Sequence, residues 1–171
     1  MRLGVDVGTV RVGLAASDPD GLVATPVRTL RRGPGTREHP GDLAAIVAEV
    51  HERCAQVVYV GLPRHLSGAE GASAHIARAY SGSLARAVAP VPVRLVDERM
   101  STVTAHRALA ESGRPGRRHR DVVDQAAAVV ILQYALDAER TLGRRTGERV
   151  GPKDLTGTAG DVRTDSTTTL E

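Results

Sequence analysis

The stretch "LGVDVGTVRVGLAAS", residues 3 to 17, reads as two short strands joined by a tight turn. Leu3, Val5 and Val7 recur at alternate positions, Gly8 to Arg11 supplies the turn, and Val12 to Ser17 continues as a second strand. Asp6 breaks the pattern. A first strand of this kind belongs in the middle of a sheet, where an ionised side chain is costly unless something compensates its charge.

The residues that follow extend the hairpin. "DPDG" (18 to 21) is a turn signal and Leu22 to Leu30 a third strand, in which Pro26 is tolerated only at a sheet edge or a bulge. Then the period changes. "RRGPGTREHPG" (31 to 41) is a loop and Asp42 is placed to cap a helix, whose apolar stripe is Leu43, Ile46, Val47, Val50 and Cys54. Cys54 is the sole cysteine, so no internal disulfide can form, and its place on the stripe predicts a small core residue. Val57 to Val60 suits a buried parallel strand, and Ile76, Tyr80, Leu84 and Val88 mark a second helix. A fifth strand spans 93 to 97. A third helix is predicted from Ser101 or Thr102 to about Gly113, "RPGRRHR" (114 to 120) is a basic loop, and a last helix runs from about Asp121 to Leu142.

The predicted fold is therefore α/β. It has a mixed five-stranded sheet, three antiparallel N-terminal strands followed by two parallel ones, with helices on both faces. One domain spans residues 1–142. Residues 143–171 are polar and aperiodic, with five basic and five acidic side chains, and are expected to form a disordered tail.

A chain of 171 residues can bury one sizeable core. It has no apolar run of membrane-spanning length, so the expectation is a soluble, cytoplasmic protein with no membrane partner. The net charge of +3 comes mostly from arginine, which grips phosphate oxygens in pairs. Three Tyr and no Phe or Trp argue against recognition by stacking bases on aromatic platforms.

Two further acids stand out beside Asp6. In "RLVDERMS" (94 to 101) a strand ends in Asp97 and Glu98; adjacent strand residues face opposite ways, so only one of them can share a site with Asp6. In "RDVVDQAAAVVILQYAL" (120 to 136) Asp124 opens a helix apolar enough to be largely buried. Each acid has an ordinary reading by itself: Asp6 satisfying turn amides, Asp97 or Glu98 pairing with Arg94 or Arg99, Asp124 favoured by the helix dipole. As a set they differ. Three carboxylates brought together repel strongly unless a divalent cation sits among them, and an all-oxygen donor set suits one or two ions of Mg²⁺ or Mn²⁺. Such a centre hydrolyses phosphodiesters.

Four blocks carry a resemblance: "GVDVGTVRVGLA" (4 to 15), "VVYVGLPRHLSGAEG" (57 to 71), "VRLVDERMST" (93 to 102) and "VVDQAAAVVIL" (122 to 132). In order and spacing, over residues 1 to 140, they resemble the YqgF/RuvX family, described as pre-16S rRNA nucleases and as Holliday junction resolvase-like proteins of RNase H-like fold. The resemblance implies a metal-dependent nuclease with Asp6, Glu98 and Asp124 as catalytic and metal-binding residues, and it helps select Glu98 over Asp97. It also implies a role in maturing the 5′ end of small-subunit ribosomal RNA. His65 and Ser67 depart from the family pattern, where Asn and Asp are frequent, which touches substrate preference more than cutting chemistry.

Other positions gain meaning from these acids. Gly8 and Thr9 shape the first turn, and Gly61 and Pro63 end the fourth strand at the sheet edge where ligands bind in open α/β sheets. Arg11, Arg99, Arg114, Arg117, Arg118 and Arg120 are the nucleic-acid-binding candidates, gripping backbone phosphate. Three other functions compete. A junction-DNA resolvase would act as a symmetric homodimer on branched DNA. A phosphotransferase would need a second domain and a second phosphate loop. A binding module would dock on rRNA or protein without cutting.

Overall fold

The computed structural model describes residues 1–34, 41–100 and 117–151, with Met100 and residues 117–124 described as backbone alone. The helix expected over 101–113, and Arg114, lie outside the described residues.

Alternation in the first fifteen residues produces the hairpin it predicts. Strands β1 (Leu3–Val7) and β2 (Arg11–Ser17) pair antiparallel, with Asp6 opposite Gly13 and Val7 opposite Val12. β3 (Ala24–Arg31) pairs antiparallel with β2 at the sheet edge. Its register slips where Leu14 faces Arg28 and Ala15 faces Pro26, so Val27 is the extra residue of a bulge beside the proline. The strand begins at Ala24 because the Leu22 and Val23 amides donate to Asp18 Oδ1 at 2.6 and 2.8 Å, which holds both residues in the turn.

Beyond the hairpin come α1 (Asp42–Glu52), β4 (Val58–Leu62), α2 (Ala72–Ala87) and β5 (Val93–Asp97), then a 3₁₀ turn (Glu98–Met100), α3 (Arg117–Leu142) and β6 (Glu148–Arg149). The described sheet has the order β3-β2-β1-β4-β5-β6, with β1, β4 and β5 parallel. Helices cover both faces. Leu3, Val5, Val12, Leu14, Val58 and Val60 pack with Ile46 and Val50 of α1 and Leu84 of α2. On the other face Ala15, Tyr59 and Val96 pack with Ala128, Ile131, Leu132, Ala135 and Leu136 of α3.

Four expectations are corrected. The sheet has a sixth strand, formed by Glu148–Arg149 from the segment expected to be a disordered tail. Its anchors are distant: Arg94 donates to the Gly147 carbonyl at 2.6 Å, Arg78 pairs with Glu148 at 2.9 Å, and the Val150 amide donates to Val93 O at 3.0 Å. Only glycine serves at 147, where φ is +76° and a methyl group would stand 2.4 Å from the Leu95 carbonyl oxygen.

Cys54 is exposed rather than buried. Helix α1 ends at Glu52, and the chain turns through a left-handed Cys54 (φ +48°), so Ala55 takes the core position at 5% exposure. Asp42 does not cap α1, whose cap residue is Gly41; its carboxylate instead accepts from Tyr80 Oη at 2.9 Å. Finally, α3 starts at Arg117, since neither Gly nor Pro occurs between Gly116 and Gly143 to stop it. Arg117, Arg118 and Arg120 are thus in its first turns and not in a loop.

Candidate active site

The face toward α3 combines small residues with Tyr59 and Val96. On β1 the alternation sends Leu3, Val5 and Val7 into the α1/α2 core, leaving Gly4 and Asp6 on the α3 side. Gly4 lets the helix approach: a methyl group there would stand 2.6 Å from Leu132 Cβ and 2.9 Å from the Ala128 carbonyl oxygen. The helix runs opposite to β1, since Arg2, at the strand's beginning, pairs with Glu139 at 3.1 Å, eleven residues after Ala128. The backbone of Asp124 is in α3 one turn before Ala128, on the same stripe, in the direction of Asp6. Its side chain lies outside the described residues.

Parallel pairing does the rest. Gly4 faces Tyr59 and Val5 faces Val60, so continuing this register brings Asp6 alongside Gly61 at the end of β4. A methyl group at position 61 would stand 2.5 Å from Glu98 Oε1 and 2.5 Å from Ile131 Cδ1. The missing side chain of Gly61 is therefore the seat of the Glu98 carboxylate. Asp6 is only 3% exposed, and β4 separates its strand from β5, which Glu98 follows directly at the carboxyl end of the parallel strands.

Asp97 is engaged by Arg99. Asp97 accepts from the Arg99 amide at 3.0 Å and from its guanidinium at 2.7 Å, with Arg64 at 3.9 Å. The bond from the Arg99 guanidinium holds the Asp97 carboxyl below its ordinary value. The same pairing raises Arg99. Arg99 Nη1 also reaches the Leu66 carbonyl at 3.5 Å, so this nucleic-acid candidate ties the 3₁₀ turn to the loop after β4. In that loop Pro63 is half-buried, Arg64 pairs with Glu70 at 2.9 Å, and His65 closes the turn through its backbone, leaving Leu66 exposed.

The first turn is pinned from two sides. The Gly8 amide donates to Arg11 O at 2.9 Å, and a methyl group at Gly8 would press on that same oxygen at 2.9 Å. Arg32 Nη1 donates to the Gly8 carbonyl at 3.2 Å while its guanidinium lies 5.3 Å from the centre of the Tyr80 ring. Burial and the Asp42 carboxylate push Tyr80 above its ordinary value, so its hydroxyl keeps the proton it donates to Asp42. Sequence reasoning missed this chain of Asp42, Tyr80 and Arg32. Tyr80 read only as one member of a core stripe, and a cation over a ring leaves no periodic signal. Thr9 is exposed at the tip of the turn, and Arg11 is half-buried where β2 begins.

The donor set is oxygen only, one carboxylate is sequestered in a central strand, and a glycine leaves the space a second one fills. These features fit a hard divalent cation such as Mg²⁺ or Mn²⁺.

A family model described as "RuvX: Holliday junction resolvase" matches residues 1–138. The chain belongs to the RuvX family. Several similar proteins carry the description "Putative pre-16S rRNA nuclease". One from Kineococcus radiotolerans is 56% identical, covering 90% of this chain and 80% of that protein. One from Nocardioides sp. is 53% identical, covering 88% and 96%. Among solved structures, Thermus thermophilus RuvC is 18% identical with a TM-score of 0.48, covering 85% of this chain and 98% of that one. As a RuvX member the chain has the mixed α/β sheet expected of it. No helix among its described residues is long and apolar enough to cross a membrane.

Proposed function

We propose that this chain is a metal-dependent nuclease that hydrolyses phosphodiester bonds of structured nucleic acid. Its role is 5′-end processing of precursor 16S rRNA during ribosome biogenesis in the cytoplasm. The observation that carries the reading is the seating of the Glu98 carboxylate over Gly61, beside the buried Asp6. Family membership and the description of the relatives support the same conclusion.

Asp6, Glu98 and Asp124 would hold the Mg²⁺ or Mn²⁺, which when bound supplies Lewis-acid stabilisation of a phosphoryl oxygen and a nucleophile at neutral pH. The chain's own contribution is preorganisation. The backbone of Asp6 is held opposite Gly13 in the β1–β2 ladder and its side chain is buried, which limits how far the carboxylate can reorient when substrate arrives. Gly61 and Ile131 confine Glu98. Arg117, Arg118 and Arg120 fall in the first turns of α3, where the helix dipole disfavours cations. That cost is offset when they and the helix amides meet phosphate, which supports a polyanionic substrate.

The test is cleavage of a precursor 16S rRNA fragment and of a four-way DNA junction by purified protein, with Mg²⁺ or Mn²⁺ and with chelator. The rRNA reading expects metal-dependent cutting of the RNA at its 5′ side. Junction cleavage by a homodimer is the second reading, favoured by the family's description as a Holliday junction resolvase. Binding without cleavage under every condition would replace both with a docking role.

A further inference from the structure

Leu66 is 93% exposed, against 60% for Val10, the next most exposed large apolar side chain among the described residues. A single apolar residue in water is ordinary. Leu66 differs in the structure built beneath it and in its place beside the acids.

It stands at the tip of the loop of residues 63–71, between β4 and α2. The His65 amide donates to Ala69 O at 2.9 Å and the Gly68 amide to His65 O at 2.8 Å, which closes a turn around Leu66 and Ser67. Gly68 takes φ +89°, and a methyl group there would stand 3.3 Å from Arg99 Nη1, the atom that reaches the Leu66 carbonyl at 3.5 Å. The His65 ring lies on Gly71, where a methyl group would meet Nε2 at 2.7 Å. Only Leu62 separates this loop from Gly61, the seat of Glu98, and Arg99 directly follows Glu98. The tip is thus braced by the same 3₁₀ turn that carries the acid.

The surrounding charges are matched within the protein. Arg99 pairs with Asp97 at 2.7 Å, Arg64 with Glu70 at 2.9 Å, and Arg78 with Glu70 at 2.7 Å and with Glu148 of β6 at 2.9 Å. These guanidiniums are already engaged, so what the loop presents to a ligand is an apolar side chain. No aromatic takes that part among the described residues: Tyr59 and Tyr80 are buried and Tyr134 packs with the α3 core.

We infer that Leu66 is a wedge that packs on a nucleobase beside the scissile phosphate and parts it from its stacked neighbour. The inference rests on the nuclease reading for the nature of its ligand and adds the residue that selects where along a structured substrate the acids act. Leucine is among the side chains that proteins insert between stacked bases. Contact with the face of a base involves no charge and reads no hydrogen-bond pattern, so Leu66 senses how easily a step opens rather than its sequence.

The experiment uses 2-aminopurine, which brightens when unstacked, placed at successive positions across the end of an RNA stem with a 5′ extension and around the branch of a four-way DNA junction. The full chain is added in Ca²⁺. The parent brightens the probe at one position of its preferred substrate; Leu66→Ala loses that rise, and Leu66→Met keeps it. The slope of log K against log salt is the same in Leu66→Ala as in the parent, because no phosphate contact is removed. Val23→Ala, exposed at the opposite end of the sheet, behaves as the parent. In Mg²⁺, Leu66→Ala slows single-turnover cleavage of the paired substrate, and a mismatch at the bright position restores the rate, which a purely structural role would not do. No rise with the parent at any position overturns the wedge, as does a rise retained in Leu66→Ala or an equal loss in Val23→Ala. Cutting at the parental rate by Leu66→Ala removes the wedge and leaves the nuclease; a Leu66-dependent rise in a protein that cuts nothing leaves the base contact and removes the nuclease.

Discussion

The two faces of the sheet are made from different residues, although the same strands supply both. Toward α1 and α2 the strands present Leu3, Val5, Val7, Val58 and Val60, branched side chains that fill space completely. Toward α3 they present Tyr59 and Val96 but otherwise Gly4, Gly13, Ala15 and Gly61, interrupted by Asp6. The first face holds most of the burial. The second gives some of it up so that a helix can lie directly on the backbone and carboxylates can occupy the space that side chains would take. Stability and chemistry are thus separated by the pleat, residue by residue.

The sharpest way to break this division is to neutralise the acids. Asp6→Asn, Glu98→Gln and Asp124→Asn each lower cleavage by at least about 10²-fold, the scale on which removal of one preorganised electrostatic group acts, with circular dichroism unchanged. A substitution on the opposite face has the converse effect. Leu14→Ala, at a fully buried position, costs about 2–5 kcal/mol in urea unfolding while turnover per folded molecule is retained.

Gly61→Ala joins the two quantities. Its methyl group would meet both Glu98 and Ile131, so stability falls by about 1–3 kcal/mol through overpacking and cleavage falls with it as the carboxylate is displaced. If Gly61→Ala is stable yet inactive, or unstable yet fully active, the shared seat is wrong.

The smallest effect is electrostatic. Arg99 depresses the Asp97 carboxyl below its unfolded value. The ion pair therefore contributes stability that is fully present above about pH 4, the ordinary Asp value, and is lost as pH falls through the depressed one. Asp97→Asn removes that contribution, worth about 1 kcal/mol or less for a partly solvated pair. Its melting temperature should lie slightly below that of the parent at neutral pH, and the two curves should converge in acid.

Much of this arrangement was legible in the sequence because its cause is local. Alternation gave the hairpin, Pro26 pointed to an edge and a bulge, and Asp6 was conspicuous as a charge in an apolar strand. What escaped depends on distant partners. A two-residue strand has no periodicity, and β6 exists because Arg94 and Arg78 reach across to it. Cys54 was placed by extending a helical stripe past a terminus that a left-handed residue imposes. Asp97 and Glu98 are equivalent in composition; only the Arg99 bond and the space above Gly61 distinguish them. Gly61 itself read as a loop-shaping residue, since nothing local reveals that another residue's carboxylate needs its vacancy.

The last described strand has a practical meaning for anyone who shortens the protein. Cutting after Leu142 would strip Arg94 of the Thr146 and Gly147 carbonyls and leave the outer amides of β5 open to a neighbouring molecule. A truncated version should therefore self-associate, and the first safe stopping point is beyond Val150.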